Sequence, residues 1–326
     1  MKTFRTVFPA RPATFPIRHG DRLLLAGSCF TEHIGARLAA GKFRTLLNPH
    51  GIAYNPVSIA RCLTALLAPE PAEWPLFRHQ GLWHSWEHHG AFSHPEAEAA
   101  QAGIRQAREA ARTFLAEANR LLLTFGTADV FVLQETGEVV ANCHKAPAAW
   151  FTRRRLSVGE TTAVLADALY QLKTRLPGLR VVLTVSPVRH LRAGFVDNQR
   201  SKAVLVLACA ELCARFDFVE YFPAYELLLD DLRDYRFYAA DMIHPNEVAI
   251  DYIWEQFAAA FFPPETRRLL EQIGKIRSAA SHRPFNADTA EHRAFARTQV
   301  EKIEALLGEE PGLDFGEELA KFRKFI

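Results

Sequence analysis

Short apolar runs alternate along this chain with segments whose apolar residues recur three or four apart. RLLLAG (22–27) is an unbroken apolar run ended by a glycine, the pattern of a buried strand. Phe30, Ile34 and Leu38 then fall at helical spacing over about 29–40, up to Gly41. KFRTLLNP (42–49) reads as a second strand, and NPVSIARCLTALL (55–67) as a helix opened by Asn and Pro. An alanine-rich helix over about 95–118 leads into a third strand, RLLLTFG (120–126). SVGETTAVLADALYQLK (157–173) opens on a capping box, Ser157 with Glu160. RVVLTVSP (180–187), a helix over 198–216, FVEYF (218–222) and a last core helix over 244–262 complete the alternation.

Strands that alternate with helices call for a parallel sheet covered on both faces, because each crossover returns over the sheet. The expected fold is therefore α/β: a three-layer α/β/α sandwich around a central parallel sheet of about five strands. Two stretches depart from the alternation. Residues 69–94 crowd Pro, Trp and His together and read as an inserted loop, and VFVLQETGEVVAN (130–142) reads as a β-hairpin outside the main sheet. Beyond 262 the chain is charged and helical with no strand candidate, so residues 1–262 form the expected α/β domain and 263–326 a helical extension. The amphipathic pattern of that extension suits packing or a homodimer contact.

With 39 Lys and Arg against 37 Asp and Glu, nothing in the charge favours nucleic acid as a partner. The first residues lack the apolar core of a signal peptide, and no run approaches the ~20 apolar residues of a membrane span. Five scattered cysteines do not suggest a disulfide framework. A cytoplasmic protein without membrane partner or cofactor is the expectation.

In a doubly wound sheet, sites form at the carboxyl ends of the strands. That selects residues 27–30, 48–55, 126–129, 186–195 and 238–245. The first loop holds Gly27-Ser28-Cys29 at a strand-to-helix turn. Ser28 there is either a helix N-cap or a nucleophile beside free backbone N–H groups and a helix dipole. The last holds Asp241 and, three residues on, His244. An aspartate at that offset orients one imidazole nitrogen and leaves the other free as a base. Together they supply a Ser28–His244–Asp241 unit. Cys29 is the rival nucleophile, but the residue after the nucleophile in such a turn faces the helix packing. His84 and His88, four apart, invite a metal reading; no Cys or Asp completes a compact site, so the expectation is an aromatic and His-lined loop over the cleft, with no metal. His144 and His190 follow strand ends and read as hydrogen-bonded structural histidines, with His190 also near substrate. Arg153, Arg154 and Arg155 read as a solvated basic run.

GSCF (27–30), NPHGIAYNP (48–56), WHSWEHHGAFSH (83–94), TFGTADV (124–130), VVANCHK (139–145), TVSPVRH (184–190) and the segment from Tyr221 to Asn246 together resemble the GSCFA family, grouped with the SGNH/GDSL hydrolases. The resemblance implies a flavodoxin-like fold and metal-independent hydrolysis of ester or acyl bonds, on an acylated carbohydrate or another small ester. By it, Ser28 is the nucleophile, Asp241 and His244 are the last-block pair, and the N–H groups of Cys29 and Gly51 form an oxyanion hole. The third block departs from the Gly-x-Asn-Asp of such hydrolases, reading Gly126-Thr127-Ala128-Asp129. The side-chain amide that would donate to the oxyanion is missing there, and Thr127, Asn55 and Asn142 are the candidate replacements. Two other functions stay open: a ligand-binding module on the same fold, and an O-acyltransferase using the same triad.

Overall fold

The computed structural model describes residues 6–8, 11–68, 74–282 and 289–326. Five parallel strands form the central sheet: β1 (Arg22–Gly27), β2 (Arg44–Leu47), β3 (Arg120–Phe125), β4 (Arg180–Val185) and β5 (Val219–Phe222), in the order β5-β4-β3-β1-β2. That is the flavodoxin-like doubly wound order, whose switch point lies between β1 and β3. Register places Gly27 beside Thr124 and Phe125 beside Val185, so the ends of β1, β3 and β4 are level.

The alternation of each strand sorts its side chains to two cores. Leu23 and Leu25 of β1, Leu122 of β3 and Val182 of β4 face α1 (Cys29–Ala40), where Phe30, Ile34 and Leu38 meet them. Leu24, Leu121, Leu123, Val181 and Leu183 face the opposite side. That face is covered by α2 (Pro56–Ala65), α3 (Ala97–Glu117), α4 (Val158–Arg175) and α5 (Phe195–Arg215). The last core helix, α6 (Glu247–Phe261), lies with α1, and Arg37 of α1 bridges its Glu247 at 3.0 Å and its Asp251 at 2.5 Å. Fully burying each of Phe30, Ile34 and Leu38 contributes about 2 kcal/mol. The capping box of α4 is formed reciprocally, Ser157 Oγ accepting from Glu160 N–H and Glu160 from Ser157 N–H.

Two insertions differ from expectation. The expected loop at 69–94, of which 69–73 lie outside the described residues, contains an antiparallel hairpin, Leu76–His79 with Leu82–Ser85. Gln80 and Gly81 at its tip both have positive φ, as a two-residue type I′ turn requires. The expected two-stranded hairpin at 130–142 is three-stranded: Asp129–Leu133 lies between Val139–Val140 and Phe151–Arg155. The arginine run is therefore an edge strand with partners. Arg153 and Arg155 both bind the Asp129 carboxylate, at 2.5 and 2.9 Å, and Arg154 binds Glu160 at 2.7 Å.

The C-terminal segment folds as α7 (Pro264–Ser281), α8 (Ala290–Glu309) and α9 (Gly316–Arg323) around a core of its own, including Ile273, Ile303, Phe315 and Phe322. It docks beside the α1–β2 turn, where Lys42 pairs with buried Glu318 at 2.9 Å and lies over the Phe315 ring. Among the described residues no helix is long and apolar enough to cross a membrane.

Candidate active site

Strand β1 ends in a turn held from three sides. Gly27 N–H donates to Asn48 Oδ1 at 2.9 Å, Ala53 N–H donates to Gly27 O at 3.1 Å, and Ser28 N–H donates to Thr124 O at 3.0 Å. Gly27 has φ +148°, and a Cβ there would meet the Thr124 carbonyl oxygen at 2.2 Å. Only glycine lets β3 approach the turn this closely. Gly27→Ala is expected to cost about 3 kcal/mol or more, read as a lower urea midpoint by circular dichroism. An unchanged midpoint would refute the close approach.

Ser28 stands at the N-cap of α1 but makes no capping bond. It is 1% exposed, and its Oγ has no hydrogen-bond partner. The cap reading of Ser28 thus fails, and a buried hydroxyl is left unpaired beside the N-terminus of a twelve-residue helix. Cys29 packs toward the core shared by α1 and α6, and burial followed by Glu32 pushes its thiol up, away from the reactive thiolate.

Asp241 and His244 form the expected pair. His244 Nδ1 and Asp241 Oδ2 are 2.6 Å apart, and Asp241 Oδ1 accepts from the N–H groups of His244 and Ile243 at 3.0 and 2.9 Å. The His244 N–H, then its imidazole, then the Ile243 N–H hold the carboxyl down to about 2. The segment just before α6 is tied to the loop after β4, because Arg189 N–H donates to Ile243 O at 3.2 Å. His33 of α1 is lowered by burial foremost, and the charge of His244 also reaches it. Ser28 and the His244–Asp241 pair therefore share one end of the sheet, without a bond from Ser28 Oγ to the imidazole.

The oxyanion donors differ from expectation. Gly51 N–H is engaged with Asn48 O at 2.7 Å, closing a left-handed turn at φ +78° against His89. Asn55 is the N-cap of α2, its Oδ1 accepting from Ser58 N–H at 2.9 Å and its Nδ2 donating to Ser58 Oγ at 3.0 Å. Thr127 Oγ1 accepts from Asp129 N–H and pairs with Ser201 Oγ, both at 3.0 Å. Asn142 Oδ1 accepts from His144 N–H at 2.8 Å. Short polar side chains in turns bond their own backbone first, which is why Asn55 and Thr127 are spent. Cys29 N–H, in the first turn of α1, has no intrahelical acceptor.

His84 and His88 do not line an open cleft. Both are buried: His84 lies between Ser93 Oγ at 2.6 Å and His79 O at 3.1 Å, and His88 Nδ1 meets Ser85 Oγ at 2.9 Å. Burial removes the hydration that an imidazolium needs, so His88 falls to about 3 and its neighbour His50, 4.8 Å away between ring centroids, to about 4. His144 Nε2 is bonded to Ser85 O at 2.8 Å, as a structural histidine. His190 does reach the site, its ring against Gly126.

A family model, the GSCFA family, matches residues 22–257, 72% of the chain. The chain belongs to the GSCFA family. A second family model, described as the GSCFA domain protein, C-terminal domain, matches residues 273–326, the segment with its own helical core. No curated protein matches this GSCFA chain. Similar solved structures include a carbohydrate esterase family 3 from Talaromyces cellulolyticus, 9% identical, with TM-score 0.36 over 77% of this chain and 98% of that one. A Clostridium thermocellum family 3 carbohydrate esterase is 11% identical, with TM-score 0.33 over 77% and 98%. An acetyl xylan esterase, Est2A, from the rumen bacterium Butyrivibrio proteoclasticus is 11% identical, with TM-score 0.31 over 79% and 66%.

Sequence reasoning missed a buried lysine in the GSCFA site. Lys202 of α5 donates to Gly126 O at 2.7 Å and Ser186 O at 2.6 Å, pinning the loops that leave β3 and β4. It is fully buried, and loss of hydration lowers it to about 7. The preceding Ser201 accepts from Ala128 N–H at 2.8 Å, so two adjacent residues fix the whole third-block loop. The signal was available: Lys202 falls on the same buried stripe of α5 as Leu205, Cys209 and Leu212.

Proposed function

We propose that this protein is a serine ester hydrolase, with Ser28 as nucleophile, His244 as general base and acid, and Asp241 as the group that orients the imidazole. The observation that carries this reading is the 2.6 Å Asp241–His244 pair at the same sheet end as an unpartnered Ser28 hydroxyl on a helix N-terminus. In the first half-reaction Ser28 Oγ bonds to the acyl carbon as its proton passes to His244. The tetrahedral intermediate collapses, the ester C–O bond breaks, and His244 returns the proton to the departing alcohol. Water repeats the sequence on the acyl-serine and releases the acid. Cys29 N–H faces the oxyanion, aided by the dipole of α1. The substrate class is a small or carbohydrate-borne ester.

A fluorophosphonate probe tests the assignment on the full chain. Labelling is expected in the native protein and in Cys29→Ala, and not in Ser28→Ala. Labelling lost only in Cys29→Ala would transfer the nucleophile to the thiol. A folded native protein that takes no label would favour a second reading, a ligand-binding module, which the shielding of Ser28 Oγ from solvent supports.

A further inference from the structure

The missing third-block amide leaves a question of chemistry. Of the expected donors, Gly51, Asn55 and Thr127 are occupied and Asn142 is tied to His144 N–H through its Oδ1, and a developing oxyanion is stabilised by preorganised donors. Ala128 holds the sequence position of that amide, but its side chain is buried in the core and its N–H is bonded to Ser201. A ring nitrogen beside this loop is among the buried polar atoms without a partner.

His190 Nε2 is shielded from solvent and makes no hydrogen bond. It lies against the third block: a Cβ built on Gly126 would come within 3.2 Å of it, and within 3.1 Å of Tyr54 Cδ1. Its backbone is anchored by His190 N–H donating to Asn198 Oδ1 at 2.9 Å. The residue before it, Arg189, bonds the His244 segment. The ring therefore sits between the loop after β3 and the loop that carries the base. A buried ring nitrogen left unsatisfied costs about 1–3 kcal/mol, and such an atom calls for a use.

Resting on the esterase reading above, we propose that His190 is a catalytic residue whose Nε2–H donates to the oxyanion in place of the absent asparagine amide. The role requires a neutral imidazole, because a neutral ring donates without becoming a competing acid. The surroundings supply one. Burial first, then the ammonium of Lys202 and the charge of His244, hold His190 at about 4, against an opposing pull from Asp129. Lys202 thus has two effects, fixing Gly126 O in place and keeping the neighbouring imidazole uncharged. The role further requires Tyr54, edge-on to the His190 ring at 5.8 Å and half-buried, to turn aside for the acyl oxygen.

The test is steady-state hydrolysis of p-nitrophenyl acetate by the full-length chain, with melting curves recorded for every variant. His190→Phe is expected to lower kcat about 100- to 1000-fold with KM changed less than about threefold, the signature of a donor used only in the transition state. His190→Gln, which returns an N–H near the same place, is expected to recover at least tenfold over His190→Phe. A structural role would predict no such rescue, and equal losses in the two variants would overturn the assignment. Asn48→Asp is the decisive comparison: the buried Asn48 Nδ2 is another unpartnered amide nitrogen near the turn, and the aspartate keeps the acceptor that Gly27 N–H uses. If Asn48→Asp carries the loss while His190→Phe keeps kcat within fivefold of wild type, the donor is Asn48. A native chain inert to both the ester and the fluorophosphonate sinks the esterase reading, and this one with it. An active native chain with an unaffected His190→Phe sinks this one alone.

Discussion

Replacing His244 by alanine is expected to slow ester turnover by about four to six orders of magnitude while the melting temperature stays within a few degrees of wild type. The side chain is 44% exposed, so its removal opens no core cavity. The chemistry, in contrast, loses both the base that takes the Ser28 proton and the acid that serves the leaving alcohol. Asp241→Asn is expected to cost less, about 100- to 10,000-fold. Its carboxylate is also about half exposed, 46%, and water partly substitutes for its charge. Because three bonds from His244 and Ile243 hold Asp241 down at about 2, acid inactivation above pH 4 does not originate there. The measurement is kcat with p-nitrophenyl acetate for the two variants beside wild type. Less than a tenfold loss in His244→Ala would remove the base from the mechanism.

Acidification is expected to destabilise the fold well before its carboxylates are protonated. His50 and His88 are buried neutral, with folded values near 4 and 3 against about 6.5 for a free imidazole. The sign follows from proton binding. Between those values the unfolded chain takes up protons that the folded chain refuses, so stability is complete above about pH 6.5 and falls as pH drops below it. At pH 5 the loss is about 2 kcal/mol per ring, or about 4 kcal/mol for the pair. In a chain of this size that lowers the melting temperature by about 6 °C. The two rings join the inserted hairpin region to the loop after β2, where His89 N–H also donates to His50 O at 3.0 Å. Acid should therefore loosen the segment that carries Gly51 and Tyr54 first. Calorimetry at pH 7.5 and 5.0 checks the size, and the double variant His50→Phe, His88→Phe should remove about half of the slope, because burial also holds His144 and His190 at about 4. A melting temperature that is flat from pH 7.5 to 5.0 would show that these rings are not held neutral.

Much of this was legible in the residue order because it depends on neighbours in sequence. RLLLAG became β1 at its expected bounds, and Ser157 with Glu160 formed the capping box, since each needs only local periodicity or a three-residue reach. Asp241 found His244 for the same reason: a side chain three residues ahead of a turn closes onto it whatever the rest of the chain does. The Gln80-Gly81 turn was equally local and went unread, because Pro, Trp and His obscured the two short alternating runs around it.

What the sequence by itself determined was the set of elements, the parallel sheet they require, and the two loops holding Ser28 and the Asp241–His244 pair. What only the tertiary structure decided was which polar groups remain free. Gly51, Asn55 and Thr127 looked available in sequence and are spent on their own turns, while His84 and His88 are sealed in a hairpin that packs over them. Lys202 and His190, 76 and 64 residues from Gly126, enter the site only because crossovers place the ends of β3 and β4 side by side. A hydrogen bond is satisfied or orphaned by three-dimensional proximity and burial, and neither is a property of spacing along the chain.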